Sequence, residues 1–169
     1  SFLLILVSLS FAASSAFLPA FSRLSEGEPS AQRFLLTETL RYAFIVSVSA
    51  AGALWMAAHT LVITIYDTSY APAGDALQIL ALALIFMIPT HLMLNFLISE
   101  NRQNAVLTAN LLSALLLLIF DPLFIAAYGI RGAALTNVLI EVILFILYSQ
   151  LIRRTVGPLN PRQILRPLA

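Results

Sequence analysis

Apolar residues fill five stretches of the chain, at about 2–21, 40–65, 76–98, 105–127 and 133–152, and polar residues gather between them. None of the five alternates apolar and polar side chains with the period of two that a lipid-facing barrel strand requires. Each reaches about the 20 residues with which a helix crosses a bilayer. The pattern predicts an all-α integral membrane protein with five transmembrane helices over residues 1–154 and a tail over 155–169. The first stretch admits a second reading as a cleaved signal peptide, because small residues follow at Ala12, Ala13, Ser14, Ser15 and Ala16. No basic residue precedes it and Arg23 follows it, which fits a spanning helix in a chain truncated at its front.

Composition sharpens the class. Hydrophobic residues make up 60% and charged residues 10% of the chain, whereas charged residues are about 25% of ordinary soluble domains. All 9 basic residues are arginine. Arg23, Arg33 and Arg41 flank the first connection, Arg102 lies in the third, and Arg153, Arg154, Arg162 and Arg166 follow the fifth helix. Arg131 alone lies in the opposite set of loops. This asymmetry predicts a first helix running from outside to inside and a cytoplasmic C-terminal tail. With no cysteine, thiolate ligands, disulfides and cysteine nucleophiles are excluded.

The connections carry their own signals. The polar first connection, SRLSEGEPSAQRFLLTETLR, predicts a short interfacial helix, with Thr37 to Arg41 capping and starting the second span and Glu38 in its first turn. Tyr66, Tyr70 and Tyr128 fall at the outer interface, which suits rings that are apolar with a wet hydroxyl. Gly129 and Gly132 predict a tight turn that opens a new helix at Ala133. Pro89 and Pro122 lie within spans, and each removes a backbone donor, so neighbouring groups are expected to satisfy the freed carbonyls.

Polar groups inside spans are the candidates for chemistry, because lipid offers them no partner. Glu141 lies roughly 12 Å beyond Ala133 on a helix, near mid-membrane, and Asn137 shares its face one turn earlier. Asn110 on the neighbouring span is a candidate partner. Their functional reading is a cavity that binds a proton or cation or touches a polar substrate; their structural reading is hydrogen-bonded packing. His91 and Asn95 share a face just after Pro89, and His59 lies in the outer third of the second span. Ser49, Gly52, Ala53 and Met56 form a stripe leading to His59 that suits either close helix packing or a cavity. Arg41 and Arg131, near opposite mouths, are candidate phosphate contacts. The aspartates read as outer-boundary residues. Metal-ligand spacing such as HExxH is absent, and neither a nucleophile elbow, a phosphate-binding glycine loop nor a nucleic-acid surface is legible, so no cofactor and no enzyme activity are expected.

Four segments in series carry a resemblance: FLPAFSRL at Phe17 to Leu24, YDTSYAPAGDALQIL at Tyr66 to Leu80, LISENRQNAVLTAN at Leu97 to Asn110, and YGIRGAALTNVLIE at Tyr128 to Glu141. Together the chain resembles the C-terminal lobe of the multidrug/oligosaccharidyl-lipid/polysaccharide (MATE/MOP) exporter superfamily, in particular its bacterial polysaccharide flippases. It departs at Asp67, where the family often has glycine. The resemblance implies two six-helix lobes around a central cavity, of which the N-terminal lobe and one further helix are missing. It also implies alternating access that carries lipid-linked oligosaccharide, here an undecaprenyl-pyrophosphate-linked repeat unit, across a bacterial inner membrane. Independently of the resemblance, Glu141 or a histidine inside a span is a candidate for coupling to a proton or sodium gradient. The rivals are a multidrug/cation antiporter of the same superfamily, an integral-membrane glycosyltransferase or polymerase, for which the outer loops are short, and a non-transporting scaffold.

Overall fold

A computed structural model describes residues 29–156, with side chains from 34 to 154. The predicted helix at 2–21, Arg23 and most of the C-terminal tail with Arg162 and Arg166 lie outside the described residues. Four long helices follow one another: α1 (Pro29–Tyr66), α2 (Ala71–Ser99), α3 (Gln103–Tyr128) and α4 (Ile130–Val156), with a 3₁₀ turn at Thr68–Tyr70 between the first two. Among the described residues four stretches are long and apolar enough to cross a membrane: Phe34–Tyr66, Thr68–Ser99, Gln103–Tyr128 and Ile130–Arg154. Many of their large apolar side chains point away from the other described helices, among them Met56, Leu118 and Phe34. In a bilayer such side chains meet lipid at no cost.

The helices pack as a row, α1 on α2, α2 on α4 and α4 on α3, with slight contact between α1 and α4 or between α2 and α3. Tyr66, Tyr70 and Tyr128 cluster at one end of the row, and Arg102, Arg153 and Arg154 lie at the other. We call these the tyrosine end and the arginine end. A core of Leu36, Leu40, Leu92, Phe96, Tyr148 and Ile152 fills the arginine end. Halfway along, the Phe145 ring on α4 meets Phe44 of α1 at 5.6 Å and Phe86 of α2 at 5.7 Å, both edge-on.

The polar cluster Thr37 to Arg41 does not start a helix, contrary to the sequence expectation; α1 runs through it from Pro29. Leu36 and Leu40, one turn apart, are fully buried and hold this part of α1 against the core. Thr39 returns its hydroxyl to the Leu35 carbonyl at 2.8 Å, and Glu38 pairs with Arg41 at 3.6 Å. Thr39, Glu38 and Arg41 thereby find partners within α1, which runs through this stretch unbroken; the earlier part of the first connection lies outside the described residues. The stripe of Ser49, Gly52, Ala53 and Met56 is exposed and faces away from the other described helices.

Pro89 shows how a proline is accommodated inside α2. Its missing N–H would have bonded the carbonyl of Ile85. The Ser47 hydroxyl, fully buried on α1, lies 3.2 Å from that oxygen and 3.0 Å from its own Phe44 carbonyl, so its proton is shared between them. Ser47→Ala is expected to lower stability by about 1 kcal/mol, because an orphaned carbonyl in lipid has no water to turn to. Thermal unfolding in detergent checks this. Ser49→Ala, whose hydroxyl bonds Ile45 on an exposed face, is the control expected to unfold like the parent.

Two non-glycine residues among the described ones take a positive φ. Asn101, at φ 57°, closes α2: Arg102 N–H bonds the Leu97 carbonyl at 2.9 Å and Asn101 N–H bonds that of Ile98 at 3.1 Å. This is a Schellman motif with asparagine in the position glycine usually takes. Asp67 has φ 92° and ψ 163°, a region that only glycine occupies without strain. Its side chain partly compensates by accepting Thr68 N–H at 2.6 Å. Asp67→Gly is expected to raise stability by about 1 kcal/mol, strain relief outweighing the lost cap. A fall in unfolding temperature would show the opposite balance.

Candidate functional site

Between the tyrosine-end halves of α1, α2 and α4 lies an apolar groove of about 410 Å³. Val62 of α1, Ala73, Leu77 and Leu80 of α2, and Ala134 of α4 wall it, Tyr66 and Tyr70 stand at its rim, and Asn137 supplies its polar group. The small residues of α4 leave this space open. Asn137 donates its side-chain N–H to the Ala133 carbonyl at 2.9 Å, so the carboxamide oxygen remains as acceptor.

Below Asn137 the same face of α4 continues through Glu141 and Tyr148, at steps of four and seven residues. Glu141 lies about 16 Å from Ile130 along the axis, close to the middle of the helix. One of its carboxylate oxygens, Oε2, is shut away from solvent and has no hydrogen-bond partner among the described residues. Asn110, expected as a partner of Glu141, instead accepts a 2.7 Å bond from the Tyr148 hydroxyl, and Tyr148 is 1% exposed. Groove, amide, carboxylate and tyrosine therefore follow one another along one face of α4, from the apolar groove at the tyrosine end to the Tyr148–Asn110 hydrogen bond toward the arginine end.

The other sequence candidates scatter. On α2, His91 sets Nδ1 2.8 Å from the Met87 carbonyl, so that nitrogen carries the proton. Asn95 is buried one turn on, with its side-chain nitrogen unpartnered among the described residues. Arg41 pairs with Glu38, and its Nε is buried without a partner among the described residues. Among the described residues no three His, Asp or Glu groups come together as metal ligands.

Two features were not legible in the sequence. Asp121, read as an outer-boundary residue, lies inside α3 two turns before Tyr128, and its Oδ1 is buried without a partner among the described residues. Asp75 joins two residues that the sequence left apart: His59 Nε2 meets its Oδ1 at 3.1 Å, and Arg131 pairs with its Oδ2. Gly74 makes room for this, since a β-carbon there would lie 2.5 Å from His59 Nδ1. Comparison of the chain with protein-family models, with curated proteins and with solved structures finds no match.

Proposed function

We propose that these helices belong to the C-terminal lobe of a membrane transporter that flips lipid-linked oligosaccharide, in the form of polyprenyl-pyrophosphate-linked repeat units, across a bacterial inner membrane for polysaccharide synthesis. The four segments that resemble bacterial polysaccharide flippases support this reading, and so does the arginine asymmetry, which predicts a cytoplasmic C-terminal tail. The observation that carries it is Glu141: a mid-helix carboxylate with an unpartnered oxygen, one turn below an amide that opens into a groove. A group of this kind is costly in lipid and earns its place by meeting a proton, a cation or a polar substrate during transport. The whole protein acts as a carrier, not an enzyme, and couples to a proton or sodium gradient through Glu141, whereas this chain alone, without the first lobe, transports nothing.

The apolar groove above Asn137 favours a second reading, an antiporter for amphipathic cations, in which the apolar body fills the groove and the charge approaches Glu141. Complementation separates the two. A bacterium lacking its polysaccharide flippase and supplied with the native protein is expected to regain surface polysaccharide. Failure at normal membrane abundance, together with resistance to lipophilic cations, would favour the antiporter. Failure of both would leave a scaffold.

A further inference from the structure

The ion pairs at the tyrosine end and the groove are built by the same three helices. His59 lies three residues before the groove residue Val62, Asp75 directly precedes Ala76, and Arg131 directly follows Ile130. From these juxtapositions we propose that His59, Asp75 and Arg131 form a latch that holds α1, α2 and α4 together at the tyrosine end and sets the width of the groove.

Three observations distinguish a latch from a fixed staple. Asp75 is the common partner of His59 and Arg131, so changing one residue removes both tethers at once. All three side chains are partly exposed, and ion pairs in that setting are weak enough to break and re-form. Deeper in the bundle, Phe145 packs on both Phe44 and Phe86, and Ser47 reaches across to Ile85. At the tyrosine end itself α1 and α2 stay joined by the buried apolar cluster of Ala58, Val62 and Leu77, so the mid-height contacts are the pivot and the Asp75–Arg131 pair is the catch on α4. Direct packing between α1 and α4 is slight, so at this end α4 is tied to the pair α1–α2 through α2 and Asp75. The latch holds whichever molecule the groove takes.

The chain contains no cysteine, so once any cysteine elsewhere in the native protein is replaced by serine, a reporter thiol reads the groove. Ala134→Cys is placed in the native protein in membranes, and its rate of modification by an impermeant maleimide is measured with and without Asp75→Asn. A second reporter, Ala43→Cys in the core of the arginine end, monitors general loosening. Asp75→Asn is expected to speed labelling at 134 roughly fivefold, the shift produced by losing two partly exposed ion pairs, while labelling at 43 stays at the parent rate. His59→Gln and Arg131→Gln, each releasing one tether, are expected to give smaller increases. An unchanged rate at 134 overturns the latch, and so does an equal rise at both reporters, which would mark a global staple. If Asp75→Asn does not accumulate, Arg131→Gln decides on the same two readings.

Discussion

Gly132→Ala is expected to prevent α3 and α4 from closing into a hairpin, at a cost above about 3 kcal/mol. Gly132 sits in the first turn of α4, where a β-carbon would lie 2.0 Å from the Phe124 carbonyl oxygen and 2.4 Å from its carbon. Both atoms belong to the backbone of α3, so no rotamer change relieves the overlap and one helix must move bodily. Gly129 fixes the geometry from the other side: at φ 61° it turns the chain, and its N–H bonds the Ile125 carbonyl at 2.8 Å. Displacing α4 also separates Tyr148 from Asn110 farther down the hairpin. The check is membrane abundance and unfolding temperature in detergent, with Gly52→Ala as the control. Nothing lies within 4 Å of a β-carbon at position 52, so that variant is expected to accumulate like the parent. Equal behaviour of the two variants would mean that the hairpin does not pack as closely as described.

Glu141→Gln and Glu141→Ala are expected to lower transport at least about tenfold at unchanged membrane abundance, because neither replacement can take up and release charge in the cycle. Glutamine keeps the volume and the hydrogen-bonding capacity of the carboxyl group. If glutamine preserves transport and only alanine abolishes it, the residue acts by shape and hydrogen bonding and does not couple an ion. If both transport normally at matched abundance, Glu141 is packing, and the function must be sought in the groove above it. Tyr148→Phe isolates the next step of the path: it removes the bond to Asn110 and leaves the ring in the core.

The helices were legible because lipid demands long apolar runs, and the four described spans coincide with predicted runs to within a few residues at most ends. The exception is instructive. Thr37, Glu38, Thr39 and Arg41 look like a helix start, yet Leu36 and Leu40 keep the same turn anchored to the core, and burial of the apolar face decides. Glycine was also ambiguous: Gly129 is the turn, as expected, whereas Gly132 serves close packing against α3 inside a helix that begins at Ile130. Sequence spacing along one helix found Asn137 above Glu141, since one turn is a local relation. It did not find His59, Asp75 and Arg131, whose meeting depends on how three helices align, with 56 residues separating the last two. For the same reason it offered Asn110 to Glu141 when the register of the hairpin gives it to Tyr148.

The most direct test of the transport reading is flipping itself. The native protein is reconstituted in liposomes carrying a fluorescent lipid-linked oligosaccharide in both leaflets, and the fraction exposed to an added sugar-modifying enzyme is followed with time. The account predicts that the protein moves the lipid between leaflets, that an imposed proton or sodium gradient changes the rate, and that Glu141→Gln abolishes this response. Liposomes with correctly folded protein that flip no faster than protein-free liposomes, with or without a gradient, would contradict it.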